Sequence, residues 1–271
     1  MMKYISVLLI FVFAFSISAF SQCYMALVDS ADQYINKKEW DRAESMILEA
    51  LKKDPVNHNN SLLLSNLATI QRTQKRYNEA LKNYSLALYM TPNAVTLLKN
   101  RASLYMEMDS VNSAYQDFEK VIKLDEKDIE SRYFHGMIAL EYGDMTTSKS
   151  DFDAILKISS KSVPGKEGLA LWNKISGNYD NAIIYYNQLI KEDPALSYYI
   201  SRAECFLDRK QLPDASDDIK EALKMNPMDG HLYMLRARLN KLLFRNDDAA
   251  KDVELAIKYG VDPNEARDIL K

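Results

Sequence analysis

The sequence predicts an all-α chain of about seven helix–turn–helix repeats. Three observations lead there. Turn formers are scarce: only seven glycines and seven prolines occur in 271 residues, so long helices with short connections are expected. A small residue recurs at Ala43, Ala80, Ala114, Ser148, Ala182, Ala215 and Ala249, with spacings of 37, 34, 34, 34, 33 and 34. Other columns keep step with these anchors.

Twelve residues before each anchor stand Ala31, Ala68, Ala102, Gly136, Ala170, Ala203 and Ala237, all small. Four residues after stand Ile47, Tyr84, Phe118, Phe152, Tyr186, Ile219 and Val253, all large and apolar or aromatic. Two helices cross closely only where side chains are small, and a large residue one turn on fills the space beside the crossing. Twelve residues after the anchor, Pro55, Pro92, Pro194 and Pro227 close four of the repeats, because proline cannot continue a helix.

These columns divide the chain into repeats at about 24–57, 61–94, 95–128, 129–162, 163–195, 196–229 and 230–262. The fourth is the weakest, with Ser148 for alanine and no proline. Three extra residues at the first junction, around Asn57–Asn60, read as a lengthened loop. The tail at 263–271 reads as a capping helix, with Asp262 as its cap, Pro263 in the first turn and Glu265 completing a capping box.

The small, small, aromatic and proline columns at a 34-residue period resemble the tetratricopeptide (TPR) family over residues 24 to about 261. The resemblance implies a right-handed αα superhelix. First helices would line an inner groove that takes an extended peptide or single helix. Fifteen, eleven and eight residues before each anchor are the positions such a groove would show. From these positions and their neighbours, Arg72, Lys99, Ser103, Met106, Tyr133, Phe134, Met137 and Lys174 are the candidate partner-binding residues. Aromatic and methionine side chains suit adaptable recognition.

The N-terminus has a different character. Met1-Met2-Lys3-Tyr4 precedes the almost wholly apolar run 5–17, then Ser18-Ala19-Phe20-Ser21-Gln22-Cys23. A basic start, a short apolar run and small residues make a secretory signal at 1–21, cut ahead of Gln22. A lipid anchor at Cys23 and an uncleaved anchor are the alternatives. No later apolar run is long enough to span a bilayer. The expected location is the periplasm or outer envelope.

A polar column runs between the repeats' two helices. Arg101, Arg202 and Arg236 stand thirteen residues before their anchors, and Asp117, Asp218 and Asp252 stand three after. The fourth repeat carries His135 with Asp151. Elsewhere Ser30, Leu67 and Leu169 face Met46, Asn83 and Tyr185, so acid and base occur together or not at all. These pairs are expected to be structural ion pairs within each repeat.

Catalytic chemistry finds no support. The histidines, His58, His135 and His231, fall in different repeats, and no Cys/His spacing suits a metal. Pro164-Gly165-Lys166-Glu167-Gly168 lacks phosphate-loop spacing and reads as a loop or helix start. Cys205 falls on an apolar helix side as an inert thiol. The net charge of −3 carries no basic block, so no nucleic-acid footprint is expected.

The chain therefore reads as a non-enzymatic scaffold without cofactor or metal, binding protein partners in the cell envelope. A receptor for a peptidoglycan fragment or oligosaccharide, and a noncatalytic subunit of an envelope enzyme or secretion complex, are the other readings. Met25, Leu27, Val28 and Ile35 on the first helix suggest docking on a partner or a second copy.

Overall fold

Successive pairs of helices, joined by tight turns, make up the computed structural model, which describes residues 22–271. The proposed signal at 1–21 lies outside the described residues. The chain divides into two compact units, one reaching to Glu126 and the other spanning Lys127–Lys271.

The first unit contains three pairs: α1 (22–36) with α2 (Trp40–Lys53), α3 (Asn60–Thr73) with α4 (Tyr77–Met90), and α5 (Val95–Glu107) with α6 (Val111–Leu124). Four pairs form the second: α7 (Ile129–Glu141) with α8 (Met145–Ile158), α9 (Val163–Ile175) with α10 (Tyr179–Glu192), α11 (Leu196–Asp208) with α12 (Leu212–Met225), and α13 (Gly230–Leu242) with α14 (Asn246–Lys258). A short α15 (Pro263–Asp268) follows.

The small columns sit where the helices cross. Ala43, Ala80, Ala114, Ser148, Ala182, Ala215 and Ala249 are all fully buried, as are the six alanines twelve residues earlier. The large column is buried beside them, from Ile47 and Tyr84 to Val253. A residue with no side chain beyond Cβ lets two backbones approach, and the neighbouring aromatic or aliphatic group contributes about 1.5–3 kcal/mol of burial.

The turns inside the pairs share one device. The residue five before each anchor has a positive φ: Lys38, Lys75, Asp109, Gly143, Gly177, Lys210 and Phe244. The next residue's N–H donates back to the carbonyl five residues earlier, as in Glu39 to Tyr34 at 2.9 Å and Arg245 to Asn240 at 2.8 Å. This is a Schellman turn, which satisfies carbonyls left open at the helix end.

Phe244 is the least suited residue in that column. Its φ is +60° and it is 90% exposed, so packing does not offset the strain of the left-handed conformation. Replacing it with glycine removes about 1–2 kcal/mol of strain and adds about 0.5–1 kcal/mol of backbone entropy cost. Phe244→Gly is expected to raise stability by about 1 kcal/mol. An unchanged or lowered urea midpoint would contradict this.

Several helix starts carry side-chain caps. Asp128, Asp144, Ser162 and Asp229 each accept from a backbone N–H two or three residues on. Asp262 Oδ1 accepts from both Asn264 and Glu265 N–H. The helix it starts is shorter than the sequence suggests: α15 ends at Asp268, and 269–271 are outside it.

The long first junction also differs in one residue. Asn60 belongs to α3 rather than to the loop, and it is buried. Its Nδ2 donates to the Asp54 carbonyl at 2.7 Å, while its Oδ1 accepts from the Tyr24 hydroxyl at 3.0 Å. The extra residues thus form a loop pinned from both sides.

The irregular fourth repeat has its own packing logic. Phe152 is fully buried against two glycines. A Cβ added at Gly136 would lie 2.8 Å from Phe152 Cε1, and one at Gly168 only 2.3 Å from its Cδ1. Gly165 leaves room in the same way for Leu156 and Ile155. The segment at 164–168 is therefore the first turn of α9, and its glycines admit side chains from α8.

Candidate functional site

Polar columns bind the two helices of several repeats. Arg101 Nε and Nη2 donate to the Asp117 carboxylate at 2.7 and 2.8 Å. Arg202 grips Asp218 in the same forked way, at 2.8 and 2.5 Å. Arg236 reaches Asp252 at 2.6–3.0 Å. In the fourth repeat His135 Nδ1 lies 2.6 Å from Asp151 Oδ2. All four carboxylates are buried.

Two electrostatic consequences differ in their effect on the charged form. Hydrogen bonds donated to Asp117 and Asp252 raise the pKa of Arg101 and Arg236. Asp218 is raised too, which for a carboxyl disfavours the charged form, because burial outweighs the compensation from Arg202.

Further members of these networks escape a reading by pairs. Arg132 Nη1 donates to Asp151 Oδ1 at 3.2 Å, and Asn240 Nδ2 to Asp252 Oδ2 at 2.9 Å. In the second repeat, Asn83 meets Gln71 at 2.7 Å, and Gln71 meets Glu44 at 3.1 Å. Gln71, Asn173 and Asn240 share the column nine residues before the anchor, and all are buried. That shared amide column is the signal by which the sequence could have revealed them.

The candidate groove residues fall in both units, and each set is placed within its own. In the first unit, α3 and α5 carry Arg72, Lys99, Ser103 and Met106. Arg72 Nη2 is paired with Glu107 Oε1 at 2.6 Å, so a carboxylate of the next repeat occupies it. Lys99 is half-buried, and its carbonyl accepts from Ser103 Oγ at 2.9 Å. Met106 is exposed.

In the second unit, Tyr133, Phe134 and Met137 on α7 are half-buried. Tyr133 packs edge-on to Phe134 with ring centres 5.6 Å apart, and lies 6.4 Å from the Phe152 ring. Burial raises the Tyr133 phenol, with the Glu167 charge adding to it. On α9, Glu167 accepts from Tyr198 of α11, and Lys174 pairs with Glu204 of α11. Arg238 of α13 pairs with Asp208 of α11 at 2.5 Å.

First helices within a unit are thus stapled to each other by charge. Arg72 and Lys174 are cations already matched to carboxylates, while Met106 is exposed and Tyr133 and Met137 pack partly on the core of Leu140, Phe152, Ile155 and Leu169.

The first helix differs from expectation. Leu27, Val28 and Ile35 are half-buried against a core that includes Ala31, Ala43, Ile47 and Leu63. Of the four residues expected to stand free, only Met25 is exposed. The helices α2 and α3 partly cover the rest.

His58 and His231 are exposed, far along the chain from the buried His135. Among the described residues no three His, Cys, Asp or Glu side chains are grouped to hold a metal. None of the helices described is long and apolar enough to cross a membrane. Cys205 is fully buried, and burial pushes its thiol up to about 12.

Comparison with known proteins gives a consistent picture. The profile of the Tetratricopeptide repeat family matches residues 63–94, 97–128 and 169–196. A tetratricopeptide repeat protein from Parabacteroides merdae ATCC 43184 is 30% identical over 92% of this chain and 98% of its own, with a TM-score of 0.70. YrrB, a TPR protein with an unusual peptide-binding site, has 14% identity over 67% of this chain and 92% of its own, with a TM-score of 0.56. PilW, a widely conserved type IV pilus biogenesis factor, has 17% identity over 75% of this chain and 93% of its own, with a TM-score of 0.59.

Proposed function

Since the chain belongs to the tetratricopeptide repeat family, we propose that it is a non-enzymatic adaptor that binds an extended peptide or helix of a protein partner along its first helices. One observation carries this reading. In the first unit Arg72 is neutralised by Glu107 of the next repeat while Met106 is exposed, and in the second Lys174 is neutralised by Glu204 while Tyr133 and Met137 keep apolar surface within reach of solvent. Half-buried aromatic and methionine groups gain contact area at low entropic cost.

We further propose that it acts in the periplasm or cell envelope. The basic start, apolar run 5–17 and small residues at 18–21 support export. An intact mass beginning at Gln22 is expected from the native protein. A mass carrying residues 1–21 would overturn cleavage, and an acylated Cys23 would replace it with a lipid anchor.

The binding face is tested with a photo-crosslinking residue placed at 106, 137 or, as a second-helix control, 157. Partner adducts are expected at 106 and 137 and not at 157. Met137→Glu should weaken partner binding at least about tenfold, since a charge would be buried beside the partner. Adducts confined to 157 would move the site off this face.

A further inference from the structure

On the opposite side of α13 lies a pocket that the first-helix face does not use. Met234, Arg238 and Lys241 mark the first-helix face of α13, whereas Arg236, Asn240 and Leu243 line the pocket. At about 100° per residue these two sets lie on opposing sides of the helix. The pocket is formed by α12, α13 and the turn after α13, all within the second unit, and has a volume of about 420 Å³. That lies in the range of about 300–1,000 Å³ typical of ligand sites.

Its lining has two chemically distinct parts. The buried Ile219 and Leu239 form an apolar floor, extended by the half-buried Leu223 and Leu243. Lys220, Lys224, Arg236 and Arg245 bring four cations to the same pocket, and no carboxylate lines it. This is notable in a chain whose acids outnumber its bases, 38 to 35.

Carboxylates outside the lining satisfy part of that charge. Asp252 holds Arg236 from behind, and Glu221 pairs with Lys224 on the exposed face of α12. Lys220 and Arg245 are exposed and form no side-chain hydrogen bond or ion pair with another described residue. Phe244, between lining residues Leu243 and Arg245, is 90% exposed in its strained turn. An aromatic held there against its own conformational preference has little packing role among the described residues.

We propose that this pocket is a second binding site, for a peptide that sets a carboxylate beside a leucine-sized side chain. The aliphatic group fills the floor over Ile219 and Leu239, while the carboxylate faces Lys220 and Arg245. Asn240 favours a peptide over an acyl chain. Its Nδ2 is committed to Asp252, and its Oδ1 remains an acceptor for a backbone N–H at the pocket wall. An acyl chain has no donor to offer it, and covering an amide oxygen with hydrocarbon is penalised.

The test uses the full-length protein with methyl-labelled leucines and two probes, N-acetyl-leucyl-glutamate and N-acetyl-leucyl-lysinamide. The acidic probe should shift the Leu223, Leu239 and Leu243 methyl signals with an affinity on the order of 1 mM. The basic probe should leave them in place. Lys220→Glu with Arg245→Glu changes only exposed side chains and should weaken the acidic probe at least about tenfold. Absence of shifts up to about 20 mM, equal response to both probes, or indifference to the charge reversal would overturn the proposal. So would phosphatidylglycerol vesicles that bind through Lys220 and Arg245 when the acidic probe does not, which would make the pocket a lipid site.

Discussion

Arg202→Leu alone is expected to lower stability by about 3–5 kcal/mol, and the double variant Arg202→Leu/Asp218→Tyr to recover most of that loss. The single substitution leaves Asp218 buried at 4% exposure without its forked partner. A buried uncompensated carboxylate is far more costly than a matched apolar pair. The protein itself contains the replacement: the fifth repeat carries Leu169 and Tyr185 at the equivalent positions, with Leu169 buried and Tyr185 packed on the neighbouring core. Urea unfolding of the two singles and the double would measure the coupling. A double variant as unstable as Arg202→Leu would show that the pair is needed for more than charge balance.

The same pair predicts a pH dependence. Asp218 has a folded pKa raised above 3.8, so its ionisation opposes folding. Its favourable contribution is present below the unfolded pKa and is lost as pH rises through the folded one. Arg202 is the group that lowers this pKa, so its removal makes the loss larger. The deficit of Arg202→Leu should therefore be greater at pH 7 than at pH 4, and a pH-independent deficit would contradict the account.

Gly168→Ala is expected to destabilise by about 2 kcal/mol, although alanine is the better helix former by about 1 kcal/mol. The new Cβ would stand 2.3 Å from Phe152 Cδ1, inside the contact distance of any two carbons. Phe152 cannot swing away, because Gly136 on α7 brackets its ring from another side. Gly165→Ala is the milder comparison: its new Cβ would meet the flexible end of Leu156 at 2.7 Å and Ile155 Cγ2 at 2.9 Å. Phe152→Leu should recover part of the Gly168→Ala loss, giving a coupling of about 1 kcal/mol or more in a double-mutant cycle. Gly168→Ala with wild-type or higher stability would show that α8 and α9 can part without cost.

The contrast between these two cases shows what a sequence can reveal. The small and large columns were legible because a repeat presents the same crossing seven times, and each occurrence checks the others. Arg101 and Asp117 could be matched for the same reason: their joint presence and absence is visible from repeat to repeat. Arg132 was not, since it joins a carboxylate in one repeat without a counterpart in the rest, and Asn240 showed only as one of an amide column whose bonding partners differ from repeat to repeat. The left-handed column at the turns was half visible in Gly143 and Gly177, and hidden where Lys38, Lys75 or Phe244 adopts the same φ.

The candidate groove was legible only by position. Counting back from an anchor locates Arg72 and Lys174 on the first helices. It cannot show that Glu107 and Glu204 from the following repeats already hold them. It likewise suggests four free apolar residues on α1, three of which α2 and α3 partly cover. Such contacts depend on side-chain rotamers and on which neighbour reaches across.

By itself, then, the sequence determined the all-helical class, the repeat period and the residues at each crossing, because these follow from steric size at fixed helical spacing. Only the tertiary structure decided which cations are neutralised and why Phe152 requires two glycines. It alone brought Lys220 of α12 and Arg245 of the turn after α13 to one pocket. Those outcomes depend on distances between residues that no local periodicity relates.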